Sequence, residues 1–170
     1  MPKKKKVSVQ DGAKFICSSA VGLALKFFYE EMIKISNHLE IEQNEDNINN
    51  AKTEFLIFNL WAVRKALMPE RVDFMDRLHD VFLEYFDGNN IDEFKKLILN
   101  RYVIYDDAWD DKSGGNQSTL CLKVLSLLFF NGEIKESLLD FHNCMFPINS
   151  HLFGVMEVVL DLRSRIEIKE

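Results

Sequence analysis

With 170 residues, 47% hydrophobic and 28% charged, the chain has the size and composition of one globular domain and can build its core without disulfide or metal staples. Its formal net charge of −6 becomes −10 once the lysines at 3–6 are set aside, so the folded body repels nucleic acid. No run approaches the roughly 20 apolar residues of a membrane span, and 14 phenylalanines against three prolines and seven glycines favour packed helices over a turn-rich β fold.

The opening MPKKKKVSVQ reads as a flexible basic arm over residues 1–11, ahead of a single helical domain over 12–170. The apolar run FICSSAVGLAL does not read as a secretion signal. Asp11 and Lys14 break the passage from basic to apolar, and the run continues into KFFYEEMIKI with helical spacing. A first helix over about 12–40 places Ser18, Gly22, Leu25, Tyr29, Met32 and Ser36 on one face, with Val21, Phe28 and Leu39 beside it. The polar stretch EIEQNEDNINN, 40–50, is a loop. A second helix then runs to about Met68. Its centre, FLIFNLWAV, is apolar nearly all round and demands burial on most sides, with Asn59 as the interruption.

Pro69 suits the first turn of a third helix, whose inward stripe is Val72, Met75, Leu78, His79, Phe82 and Phe86. DGNN ends it. Asn90 with Glu93 caps a fourth helix running to about Asp111, and KSGGNQST is a loop. The fifth helix, LCLKVLSLLFF, is too apolar for exposure and stops at Asn131-Gly132. A short sixth helix over 133–142 leads into an irregular stretch around Pro147. The seventh, about 150–165, turns Leu152, Val155, Met156 and Val159 inward. Only the closing RIEIKE alternates with period two. The pattern predicts an all-α fold, a single-domain bundle of about six to seven helices with mostly antiparallel neighbours. Its core includes Phe58, Trp61, Phe82, Leu97, Leu125, Leu128 and Met156.

Arg101 stands out because it lies inside the apolar stripe of the fourth helix, among Phe94, Leu97, Ile98, Tyr102, Tyr105, Ala108 and Trp109. A buried guanidinium must find an anion or reach water. If consecutive helices reverse at Met68-Pro69, the midpoints of the helices bring Asn59, His79 and Arg101 to one level, with Tyr29 and Glu30 at a similar height. The carboxylates expected to meet Arg101 are Glu30 and Glu84. Such a layer is either a structural lock or the floor of a pocket. In the pocket reading Arg101, Tyr105, His79, Asn59, Tyr29 and Glu30 bind a small anionic or amphipathic ligand, because a planar fork meets a carboxylate or phosphate with two hydrogen bonds.

The pair His79-Asp80, with His38 upstream and Asp106, Asp107 and Asp110 downstream, resembles the His…His-Asp…Asp order of the all-helical HD superfamily. That resemblance implies a metal-dependent phosphohydrolase. The glycine-containing turn usual after the family's pair is replaced here by Val81-Phe82, and on one regular helix the two side chains point about 100° apart. A di-iron bundle needs two Glu-x-x-His pairs, and no second pair accompanies Asp76-Arg77-Leu78-His79. There is no glycine-rich phosphate loop and no GxSxG elbow. Asp106, Asp107, Asp110 and Asp111 crowd a helix C-terminus, where the dipole disfavours them; a solvated end is expected, so neutralising Asp106 together with Asp110 should be neutral or slightly stabilising.

Cys17, Cys121 and Cys144 are odd in number and far apart, which points to buried thiols in a reducing, cytoplasmic setting. The expected function is non-enzymatic binding to another protein or to a second copy, without catalytic residues, metal or cofactor. The alternatives are the Arg101 ligand site and, more remotely, the HD-type hydrolase.

Overall fold

The computed structural model describes residues 4–86, 90–109, 117–133 and 142–169. The elements are β1 (Lys5–Val7), α1 (Val9–Phe27), a π-helical turn (Phe28–Met32), α2 (Ile33–His38), α3 (Glu45–Leu67), α4 (Val72–Leu83), α5 (Ile91–Trp109), α6 (Gln117–Phe130), α7 (His142–Arg165) and β2 (Ile166–Ile168). The fold is an all-α bundle with one two-stranded parallel sheet at its edge.

Helix α3 is the axis. From Phe55 to Val63 every residue is buried, as the apolar run requires, and α1, α5, α6 and α7 all pack against it. Ring and ion-pair partners give the directions. Glu54 meets Arg101, Phe58 meets Tyr105 and Trp61 meets Trp109, so α3 and α5 run parallel. Asn59 meets His151 and Glu70 meets Arg163, so α7 runs the same way. Phe27 stacks on His151 while Gly12 lies against Ile166, so α1 opposes α7. Gly12 against Phe74 and Ser18 against Tyr85 set α4 parallel to α1. The chain therefore reverses between α3 and α4. The Met68–Pro69 peptide is cis, and α4 begins only at Val72, so Pro69 precedes the helix instead of forming its first turn.

The N-terminus departs from the expected arm. Lys5–Val7 pairs with Ile166–Ile168 in parallel register, and the Lys169 N–H donates to the Val7 carbonyl at 2.9 Å. Ser8 then caps α1, its hydroxyl oxygen accepting from the Asp11 N–H at 3.0 Å. The inward face of α1 also lies one residue ahead of the expected one. Ala13, Ile16, Cys17, Ala20 and Ala24 are buried, while Ser18 and Gly22 face outward. The close neighbour comes at Gly12, where an added Cβ would sit 3.3 Å from Phe74.

The π-helical turn then holds Phe28 and Met32 inside together, its Ile33 N–H reaching back to the Phe28 carbonyl. In a regular helix, residues four apart drift by about 40°; the wider turn absorbs that drift.

Further along, Phe74, Leu78, Val81 and Phe82 form the buried face of α4, and Val72 is exposed. In α5, Ile98, Tyr102, Tyr105 and Ala108 are buried as the stripe requires. Asn131 and Gly132 take positive φ after α6, and the Gly132 N–H closes on the Ser126 carbonyl at 2.9 Å. Helix α7 is longer than expected and includes Pro147. The cost of one missing backbone bond is offset by burial of Cys144, Ile148, Leu152, Val155 and Val159 along one face. The expected short helix over 133–142 falls almost wholly on residues outside the described ones, as do Asp110 and Asp111. Of the expected core, Phe58, Trp61, Phe82, Leu125 and Leu128 are buried, and Leu97 and Met156 are half-buried at its margin.

Truncating Phe82 to alanine should lower the urea midpoint by an amount equivalent to about 3–5 kcal/mol. Gly22→Ala should raise it, because a Cβ there meets nothing within 4 Å and alanine favours the helix by about 1 kcal/mol. An unchanged midpoint for Phe82→Ala would contradict this core.

Candidate functional site

The polar residues singled out in the sequence do occupy neighbouring levels of the bundle, but they face different ways. Arg101 points toward α3, where its Nε and Nη2 donate to the two carboxylate oxygens of Glu54 at 2.8 and 2.6 Å. The partner is thus neither Glu30 nor Glu84. Glu30 is exposed on the outer side of the π-helical turn beside the exposed Tyr29, and Glu84 lies 3.8 Å from Arg77. Parallel packing of α3 and α5 is what brings residue 54 to the level of residue 101. Bidentate donation to Glu54 raises the Arg101 pKa against the opposing effect of burial. Tyr105 lies fully buried alongside, its hydroxyl pKa raised first by burial and then by the Glu54 charge.

Tyr102, one residue further and about 100° around α5, belongs to a second set. His79 Nδ1 lies 2.7 Å from the Met75 carbonyl and Nε2 lies 2.8 Å from the Tyr102 hydroxyl. A carbonyl can only accept, so Nδ1 carries the proton and Nε2 accepts from the tyrosine. Both ring nitrogens are engaged. Burial pushes the His79 pKa down, helped by Arg64 and opposed by the Met75 hydrogen bond. Arg64 sits 5.1 Å over the Tyr102 ring and reaches Asp106 at 3.0 Å.

Asp106 is the surprise of the acidic helix end. It accepts from Trp61 Nε1 at 3.0 Å, Arg64 Nη1 at 3.0 Å and Lys65 Nζ at 3.1 Å. Burial opposes its ionisation, yet these three donors together hold its carboxyl below the usual range. The expected solvated end holds for the exposed Asp107 and fails for Asp106. The sequence carried a signal for this. Trp61, Arg64 and Lys65 share one face of α3, and a tryptophan N–H on a buried face needs an acceptor.

Asn59 belongs to a third set, turned about 140° from Glu54 around α3. Its amide donates to the Phe55 carbonyl at 2.8 Å, and its oxygen accepts from His151 Nε2 at 2.7 Å. The His151 ring stacks on Phe27 at 4.3 Å and lies 5.2 Å from Phe55, and burial lowers its pKa to about 4. No pattern in the sequence singles out His151, which lies on the expected seventh helix and meets Asn59 and Phe27 only through tertiary packing. The structure therefore brings Arg101 together with Tyr105, but not with His79, Asn59, Tyr29 or Glu30. Among the described residues, no three His, Cys, Asp or Glu side chains converge as metal ligands. Cys17 and Cys121 are buried thiols with pKa values pushed up to about 12 by burial, and Cys144 is buried too.

A feature of another kind lies on the outside of α7. Phe146, Phe153 and Leu160 are 77%, 43% and 52% exposed. They stand seven residues apart, with Ser150 and Glu157 between them on the same face. The Phe153 ring lies 6.5 Å from that of Trp109. Trp109, Met156, Met68 and Lys65 line the adjoining hollow, and Met68 is itself exposed. The ridge thus continues into a floor of one indole and two thioethers. A second outward stripe, Ile91, Leu99 and Val103 on α5, is aliphatic and is interrupted by exposed Lys95 and Lys96.

Arg101→Met should cost about 3–5 kcal/mol by urea titration, because it strands Glu54, and a Glu54→Leu/Arg101→Met double variant should recover much of it. Asp106→Asn should also destabilise, since it removes a carboxylate that accepts from Trp61, Arg64 and Lys65. His151 takes up a proton at about 4 in the fold but at its ordinary 6.5 when unfolded. Its neutral form therefore stabilises the fold above pH 6.5, and that contribution is lost as the pH falls toward 4. His151→Phe should flatten the stability profile over that window in chemical denaturation; an unaltered profile would contradict the assignment.

No helix among the described residues is long and apolar enough to cross a membrane. Comparison with protein-family models, with curated proteins and with solved structures finds no match.

Proposed function

We propose that this chain works by binding another protein, without catalysis, and that the outer ridge of α7 is the binding surface. The observation that carries the reading is the row Phe146, Phe153 and Leu160, exposed on one helix face and continuous with Trp109, Met156 and Met68. Scattered surface leucines need no explanation, but a contiguous patch of aromatic and methionine side chains is the composition of an interface core. Aromatic anchors supply most of the energy at such surfaces, and methionine adapts its shape to a partner.

The buried polar sets fit a supporting role. The Arg101 fork is already filled by Glu54, so a ligand's carboxylate would have to displace a bidentate partner to bind there. Both nitrogens of His79 are likewise taken up within the protein. Three buried, unpaired thiols suit a reducing, cytoplasmic setting.

A photo-crosslinking amino acid at position 153, compared with one at the exposed Lys34, tests the reading in cells. The expected result is a discrete higher-mass adduct from position 153 and none from position 34. No adduct at 153, or equal adducts at both, would overturn it.

A further inference from the structure

We infer that the occupant of the α7 ridge is an amphipathic helix bearing basic residues, supplied by a partner chain. The inference rests on the interaction reading above and adds the partner's shape and charge.

The spacing argues for a helix. Phe146, Phe153 and Leu160 recur every seven residues, the repeat that keeps successive side chains on one seam between two helices. Each step rises about 10.5 Å, so the three anchors span about 21 Å, the length of some 14 helical residues. Ser150 lies between the first two anchors on the exposed ridge, and an added Cβ at Gly154, beside Phe153, would meet nothing within 4 Å. The ridge is thus low between its knobs, and a second helix can settle there at close range.

The charge argues for a basic partner. Between positions 143 and 161 the sequence holds no lysine or arginine, while Glu157 and Asp161 are exposed. Glu157 lies on the ridge between Phe153 and Leu160 and has no hydrogen-bond or ion-pair partner among the described residues. Asp161 is held by Arg165 one turn on. The nearest cation in the hollow, Lys65, is committed to Asp106. A partner that covers Phe153 and Leu160 must also desolvate Glu157, and a lysine or arginine opposite it offsets that cost. A second copy would present the same acidic ridge on a chain of net charge −6.

The test uses the full chain and a fluorescently labelled synthetic helix of 18 residues, with leucine at the a and d positions of its heptads and lysine at e and g. A second peptide replaces every lysine with glutamate. Anisotropy titration should give saturable binding of the lysine peptide, at least tenfold tighter than the glutamate peptide. Phe153→Ser should weaken it at least tenfold. Glu157→Lys, at an exposed position with no partner among the described residues, should weaken binding of the lysine peptide severalfold and strengthen that of the glutamate peptide. Circular dichroism melts check that both variants fold. Equal binding of the two peptides, or binding indifferent to Phe153→Ser, would overturn the basic-helix assignment. Sedimentation that finds a dimer lost in Phe153→Ser would replace the partner helix by a second copy while leaving the interaction reading in place. Absence of peptide binding, of self-association and of the position-153 adduct together would overturn both.

Discussion

The structure depends on one constraint, that nine consecutive residues of α3, Phe55 to Val63, are buried on every side. A helix with no wet face must be enclosed, and enclosing it takes α1, α5, α6 and α7 together. This central helix explains why the bundle is not a simple array of amphipathic pairs, each hiding one stripe. Helices α5 and α7 both pack on α3 and run in its direction, while α1 and α4, packed on each other, run the opposite way. The hydrophobic effect sets this arrangement, since each large ring removed from water contributes about 1.5–3 kcal/mol.

A helix enclosed this way leaves little room for polar atoms, and the few present are each matched by a specific partner. Asn59 takes His151, Glu54 takes Arg101, and the Trp61 indole takes Asp106. These contacts point outward from α3 in different directions and so fix its rotation relative to α5 and α7. Replacing such groups by apolar ones would lose little energy, but removing one partner alone leaves a charge or amide stranded. Their contribution is to register and rotation more than to net stability, and the apolar excess of the described residues lies on the outer face of α7.

The ridge on α7 follows from the same geometry. One face of α7 covers α3 with Ile148, Leu152, Val155 and Val159, and the opposite face is left to solvent. On an ordinary surface helix that outer face carries charged residues. Here it carries two phenylalanines and a leucine, and nothing in the packing of α7 against α3 calls for them there. Large aromatic side chains in water are unfavourable for the isolated protein, and this is what supports the interaction surface proposed above.

The sequence by itself determined the helical class, the burial of α3, the stop after α6 and the inward stripe of α5, because these follow from local periodicity and turn chemistry. It also marked Arg101 as a charge in need of an anion, and the alternating RIEIKE as the one strand-like segment. It did not determine which anion. Glu54 becomes the partner only because α3 and α5 run parallel, a relation between segments some 47 positions apart that no local pattern encodes. The same holds for Asp106, which reads as surplus charge until Trp61, Arg64 and Lys65 arrive from another helix. The outward turn of Tyr29 and Glu30 was equally hidden, since packing sets the inward face of α1 one residue ahead of the one its pattern suggests, from Ala13 through Phe28. Periodicity says which side of a helix is apolar; only packing decides what stands opposite it, because direction and rotation are set by the whole core at once.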